Sequence, residues 1–186
     1  GGVRPYKNID AVLKGLALVD PKVVLIVAGS ESGYPDLVPG DPLGRTKRIA
    51  AELGISNRVR FLPGFAEYDA LAKMLEASDI LSLVYGKHYG SGLLSLGMTF
   101  GIHILATKAG GVEEYLDLYP SHTWVENESP EAIARSLDAA CTDLRKNGRS
   151  RIGPPREFEW KSIAREALEH LGRLSPGLAA NVDRWQ

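Results

Sequence analysis

A chain of 186 residues, 44% hydrophobic and 24% charged, is long enough for one domain with a full core and has the composition of an ordinary globular protein. Its formal net charge of −1 leaves no basic footprint, so nucleic acid is not expected as a partner. The single cysteine, Cys141, cannot form an internal disulfide, which fits a reducing compartment such as the cytoplasm, and no apolar run reaches membrane-spanning length.

In chain order, Gly1-Gly2-Val3 reads as the end of a strand already under way, and a piece cut from a longer protein is expected. Two cations, Arg4 and Lys7, follow around Pro5 and Tyr6. Asn8 stands where a helix N-cap would, and Ile9, Val12, Leu13, Leu16 and Val19 recur at helical spacing until Asp20-Pro21. Residues 22–28 (KVVLIVA) predict a buried strand, and residues 31–41, with two glycines and two prolines, a surface loop. A helix is predicted over 43–53, closed by Gly54, then a short strand over 59–62 and a helix over 68–77.

Residues 78–111 (SDILSLVYGKHYGSGLLSLGMTFGIHILATKAGG) carry the strongest pattern in the chain: apolar strand over 80–84, glycine-studded turn, helix over 93–100 stopped by Gly101, second strand over 102–106, and a second turn at Gly110-Gly111. A short helix over 112–116, a short strand over 123–125 and helices over 131–146 and 160–174 complete the chain, with 175–186 as a surface arm. Strands alternating with helices predict an α/β, Rossmann-like parallel sheet with helices on both faces, formed by residues 1–174. Ligands of such sheets sit at the carboxyl ends of the strands.

Three stretches could carry chemistry there. Arg4 and Lys7 precede a helix, where cations and N–H groups together can hold a diphosphate; equally, they read as two solvated charges. His88, Tyr89, Gly90, Ser91, Gly92 and Leu93 open the central helix, so their N–H groups would face a phosphate and His88 the group attached to it, unless the loop only reverses the chain. Ser91 reads both as an N-cap and as a phosphate contact. The third stretch, Lys108 to Glu114 (KAGGVEE), places Gly110 and Gly111 before a helix, with Glu113 either on a sugar hydroxyl or only where the macrodipole favours it. His103, inside a strand run, reads as packed. There is no metal-ligand spacing, no GxxxxGK[ST] loop and no GxGxxG, so a P-loop enzyme or a standard dinucleotide dehydrogenase is disfavoured.

In this order, GGVRPYKNIDAVLKGLALV, VVLIVAGS, RVRFLPGF, ASDILSLVYGKHYGSGLLSLGMTFGIHILATKAGGVEEYL and FEWKSIAREAL resemble the C-terminal half of a GT-B fold glycosyltransferase of family 4. The resemblance covers nearly the whole chain. It implies a Rossmann-like domain that binds a nucleotide sugar as donor substrate, with no cofactor and no metal, and hexosyl transfer to an acceptor hydroxyl, usually with retention. The acceptor, a glycan, a lipid-linked or a small molecule, would be held by an N-terminal half not present here, through which any membrane association would also run.

By position, the resemblance gives Lys7 the donor diphosphate, with Gly90, Ser91, Gly92 and Leu93 supplying N–H groups. The family's partner arginine falls near Gly2, and Arg4 stands in from a shifted place. Gly64 and Phe65 match the turn near the nucleobase, Ser95 lies beside the ribose position, and Tyr89, Gly110, Gly111 and Glu113 fall to the sugar. The family's paired glutamates fall at His88 and Leu96, so His88 is left as the catalytic candidate; subgroups of similar enzymes carry Ser-Gly in place of the glutamate loop. Two alternatives remain in view: a non-catalytic, nucleotide-sugar-binding or regulatory subunit of the same fold, and a nucleotide-sugar epimerase.

Overall fold

The computed structural model describes residues 3–29, 41–64, 66–86, 91–149, 153–155 and 159–174. The chain divides into two compact units, Gly1–Gly153 and Pro154–Gln186.

The first unit opens with a 3₁₀ turn, Pro5–Lys7, and helix α1, Ile9–Leu16. Asn8 does occupy the N-cap position, but its side chain makes no capping bond. It lies instead in the left-handed region (φ 49°), where asparagine is among the few residues tolerated, so it acts as the pivot between the turn and the helix. Strand β1 covers Leu25–Gly29, later than the apolar run predicts. The residues before it form a turn, with Asp20 Oδ1 accepting from the Lys22 N–H and the Asp20 carbonyl from the Val23 N–H. Helix α2, Pro42–Glu52, starts on Asp41, whose carboxylate accepts from Gly44 N–H, and is followed by Gly54 at φ +68°.

Strand β2 (Val59–Pro63) and helix α3 (Tyr68–Glu76) come next, then strand β3 (Ile80–Leu83), helix α4 (Gly92–Thr99) and strand β4 (His103–Thr107). Helix α5 (Val112–Leu116), strand β5 (His122–Val125) and helix α6 (Pro130–Asn147) follow. Local chemistry fixes the ends of α6: Ser129 Oγ accepts from Ala132 N–H at the start, and Gly148 at φ 71° closes it. All the strand pairs are parallel. Among the described residues they form two ladders, β1–β2 with Leu25 opposite Val59, and β3–β4–β5 with Ile80 opposite His103 and Ile104 opposite His122.

Both ladders share one apolar core. Val27 of β1 and Leu105 of β4 pack with Val12, Leu13 and Leu16 of α1 and Ile133 and Leu137 of α6. A second cluster lies under α4 and α5, where Ile104 and Ala106 meet Leu94, Met98, Leu116 and Tyr119. All five residues of β4 are buried, as expected of a parallel strand covered on two faces. Helix α1 approaches α6 closely at Gly15, where a β-carbon would lie 2.7 Å from Ile133 Cγ2. The second unit contains helix α7, Trp160–Leu174, with Ile163 and Leu168 exposed. Among the described residues no helix is long and apolar enough to cross a membrane.

His103 is packed, 1% exposed, with Nε2 2.8 Å from Thr123 Oγ1 and Nδ1 3.3 Å from Ser121 Oγ. Burial pushes its pKa down, opposed by Asp143 and reinforced by His122. The unfolded chain therefore binds a proton at higher pH than the folded one. Stability is fully present above the ordinary histidine value of about 6.5 and falls as pH drops below it, by up to about 1.4 kcal/mol per pH unit. Urea midpoints at pH 7 and pH 5 should show this loss, and His103→Gln should flatten it between those pH values; an unchanged slope in the variant would assign the loss to other groups.

Candidate functional site

The carboxyl ends of the strands carry the turns that the sequence singles out. At the end of β3 the chain makes a tight turn, with Tyr85 N–H donating to the Leu83 carbonyl. Thr107 Oγ1, at the end of β4, donates to the Tyr85 carbonyl at 2.7 Å, and the Gly86 N–H donates to the Tyr6 carbonyl at 2.9 Å. These bonds bring the 3₁₀ turn holding Lys7 against the start of the glycine-rich turn. The Tyr6 and Tyr85 rings meet edge to face at 5.6 Å, and Lys7 Nζ lies 5.7 Å from the Tyr85 centroid and 6.0 Å from that of Tyr6. Burial, with neighbouring Arg4 adding to it, holds the Lys7 ammonium below the usual lysine range.

Helix α4 begins at Gly92. Ser91 occupies the N-cap position without making a side-chain capping bond. The N-cap expectation for its side chain is thereby corrected. Gly92, the first residue of α4, is exposed and has open space where a β-carbon would stand. Leu93 packs its side chain against the second core cluster. Ser95 is exposed on α4, and its carbonyl accepts from Thr99 Oγ1.

Gly64 (φ +104°) follows β2, its N–H donating to the Gly29 carbonyl. Gly110 is left-handed (φ 62°), and Gly111 sits at the N-cap position of α5. Glu113 pairs with Lys108 at 3.0 Å, and Lys108 lies 5.2 Å from the Trp124 ring. Gly2, Phe65, His88, Tyr89 and Gly90 lie outside the described residues. Leu96, half-buried on α4, carries no polar group.

Arg4 and Lys7 do not serve one surface alone. Arg4 lines a cleft of ≈ 640 Å³ together with Asn8, Asp10, Asp41, Arg45 and Glu128, while Lys7 lies against Tyr85. Arg45 is paired with Asp10 at 2.9 Å. Asn8 and Glu128 reach from this cleft to Gly86, where a β-carbon would stand 3.0 Å from Glu128 Oε1 and 3.4 Å from Asn8 Nδ2. Asn8 Nδ2 is buried and makes no hydrogen bond.

Two participants escaped the sequence reading: Tyr85, which looks like the last residue of an apolar run, and Glu128, in a run of surface polar residues. An aromatic directly before a glycine turn was the available signal for the first. For Glu128 there was none. A partly desolvated cation and a row of strand ends are the elements from which an anion site can be built.

Comparison with known proteins adds the following. A family model described as glycosyl transferases group 1 matches residues 1–153. A D-inositol 3-phosphate glycosyltransferase of Mycolicibacterium gilvum is 29% identical over 175 residues, which are 93% of this chain. The chain spans only 38% of that relative's length. Among solved structures, a glycosyltransferase of Rickettsia africae superposes with a TM-score of 0.74 at 18% identity, covering 93% of this chain and 46% of the other. Anabaena HepE, solved in complex with UDP-glucose, superposes with a TM-score of 0.66 at 21% identity, covering 78% of this chain and 38% of the other. At these identities the two structures show a shared fold.

Proposed function

The chain belongs to the group 1 glycosyl transferases, and from that premise we propose that it is the donor-binding part of a GT-B enzyme that transfers a hexosyl group from a nucleoside diphosphate sugar to an acceptor hydroxyl. The observation that carries the proposal is the placement of Lys7: a partly desolvated ammonium beside a second cation, held against Tyr85 and the Gly86 turn at the strand ends. The charge of a bound anion would offset both the burial and the Arg4 repulsion that lower the Lys7 pKa. The unpartnered Asn8 Nδ2 adds a donor beside Gly86.

As the glycosidic bond breaks, negative charge grows on the leaving diphosphate. Lys7 and the N–H groups opening α4 would meet that charge with groups already in place, and so favour the transition state over the ground state. In this reading transfer runs without a metal ion and with retention. The sugar falls between the Gly110-Gly111 turn, with Glu113, and residues 88–90; the nucleoside falls on the Gly64-Phe65 turn and Ser95. The acceptor, a glycan, a lipid-linked or a small molecule, would be held by an N-terminal half outside this chain.

Calorimetric titration of the chain with UDP-glucose, GDP-glucose and ADP-glucose tests the reading. Binding selective for one base is expected; UDP-glucose is tried first because HepE was solved with it. No heat from any of the three at millimolar ligand overturns the assignment of the donor site to this chain. Leu96 favours a second reading, since a leucine cannot accept bonds from ribose hydroxyls: a domain that binds the donor but does not transfer. Selective binding without sugar transfer by the longer protein would decide for it.

A further inference from the structure

One peptide unit ties the turn that carries Lys7 to the ends of two strands. Gly86 N–H donates to the Tyr6 carbonyl at 2.9 Å, and Thr107 Oγ1 donates to the Tyr85 carbonyl at 2.7 Å. The Tyr85 carbonyl and the Gly86 N–H belong to the same peptide bond. That bond is trans, so the two groups point in opposite directions, with Thr107 on one side and Tyr6 on the other. The line of bonds runs from the last residue of β4, across the chain just beyond β3, to the 3₁₀ turn Pro5–Lys7. Within that turn the Lys7 N–H donates to the Arg4 carbonyl at 3.0 Å. The Thr107 hydroxyl is the one side-chain group in this line. It is well anchored, because Thr107 is 7% exposed and its backbone is paired opposite Val125 in the β4–β5 ladder.

We propose that Thr107 is a positioning residue: by orienting the Tyr85–Gly86 peptide, its hydroxyl holds the Tyr6–Lys7 turn, and with it the Lys7 ammonium, in the place from which the ammonium meets the diphosphate of the donor. The proposal rests on the donor-site reading and goes beyond it by naming a buried residue, outside the set assigned to phosphate, nucleoside and sugar, on which affinity depends. A strand end does not itself call for a hydroxyl; a valine would satisfy the β4 backbone equally well. The hydroxyl acts on the peptide instead. Without it the Tyr85 carbonyl loses the bond that fixes the tilt of the peptide plane. The glycine that follows lets that plane turn at low steric cost. As the plane turns, the Gly86 N–H leaves the Tyr6 carbonyl, and Lys7 leaves its place 5.7 Å from the Tyr85 ring centroid. Two hydrogen bonds in line through one peptide also polarise each other, so loss of the first weakens the second.

The test compares wild type, Thr107→Val and Thr107→Ser on the full chain. Calorimetry with UDP and GDP gives affinity, NMR titration of the Lys7 side chain without ligand gives its environment, and melting temperatures are taken alongside. Thr107→Val keeps the β-branched shape and deletes the donor. It should weaken the diphosphate that wild type prefers by about five- to tenfold, the scale of one hydrogen bond lost from the site. Its Lys7 should titrate closer to the ordinary lysine value, having left its partly buried place. Thr107→Ser restores the hydroxyl and should bind and titrate as wild type does. A merely structural threonine would lower the melting temperature of Thr107→Val and leave both the affinity of the folded protein and the Lys7 titration unchanged. That result, or a serine variant as weak as the valine one, overturns the proposal and leaves the donor reading standing. Should Thr107→Val not fold, amide exchange in the wild type decides: a protected Gly86 N–H supports the clamp, and exchange as fast as in an open chain overturns it. A wild type that binds neither diphosphate overturns the donor reading, and this proposal with it.

Discussion

Lys7→Ala is expected to weaken nucleoside diphosphate binding by about 10- to 100-fold while leaving the melting temperature unchanged or slightly raised. The first part follows from the strength of hydrogen bonds between a charged donor and phosphate, roughly 1.5–3 kcal/mol net. The second follows from what holds the ammonium in the free protein. Its pKa is lowered first by burial and then by Arg4, so the charge costs the fold something that alanine removes. A cation that only decorated the surface would show neither effect. The same shift gives a pH signature: diphosphate affinity should begin to decline at a lower pH than an ordinary lysine would dictate, and binding should draw a proton from solution over that range. Calorimetry in two buffers of different ionisation enthalpy measures that proton directly. Lys7→Arg is not a silent change, because a planar fork cannot occupy the place of a point charge between the Tyr6 and Tyr85 rings. An alanine variant that binds UDP and GDP as wild type does would remove Lys7 from the site.

How far the sequence carried the reading depends on how local the signal was. The alternation of apolar runs and helical periods was local, and with the closing Gly54 it placed nearly every element within a few residues. Strand β1 started late because Asp20 and Lys22 close a turn that an apolar run does not announce. Asn8 and Ser91 both had cap-forming side chains at cap positions, and neither caps. Asn8 is used for its tolerance of positive φ, and Ser91 stands at the N-cap position of α4 with no capping bond. The site itself was half legible. Cations before a helix and a glycine-rich turn after a strand can be read from spacing. That the Gly86 N–H donates to the Tyr6 carbonyl, and so brings the two turns together, joins residues eighty positions apart and leaves no trace in the pattern of either. Two parallel ladders sharing one core are likewise a matter of which strand edges meet, which side-chain alternation does not encode.

Arg58→Met should cost about 3 kcal/mol of stability, or roughly 10 °C in melting temperature, and leave nucleotide affinity of the folded protein unchanged. Arg58 is one of several arginines in the sequence and nothing in its neighbourhood marks it, yet it is 8% exposed. Its Nε donates to the Val23 carbonyl at 3.1 Å, and Nη2 donates to the Asp20 carbonyl at 3.0 Å and the Val19 carbonyl at 3.5 Å. These three carbonyls belong to the turn between α1 and β1, and the guanidinium reaches them from the start of β2, where Val59 pairs with Leu25. A methionine fills much the same volume and supplies no donor, so the carbonyls lose their partner without a large cavity opening. Lysine at this position should recover only part of the loss, because one ammonium cannot hold the spread of acceptors that the fork holds. Urea unfolding measures the effect, and a change under 0.5 kcal/mol for Arg58→Met would mean that water replaces the guanidinium at little cost. The contrast with Lys7→Ala is the sharper result. Removal of the buried Arg58 should be read in stability, and removal of the half-buried Lys7 in binding.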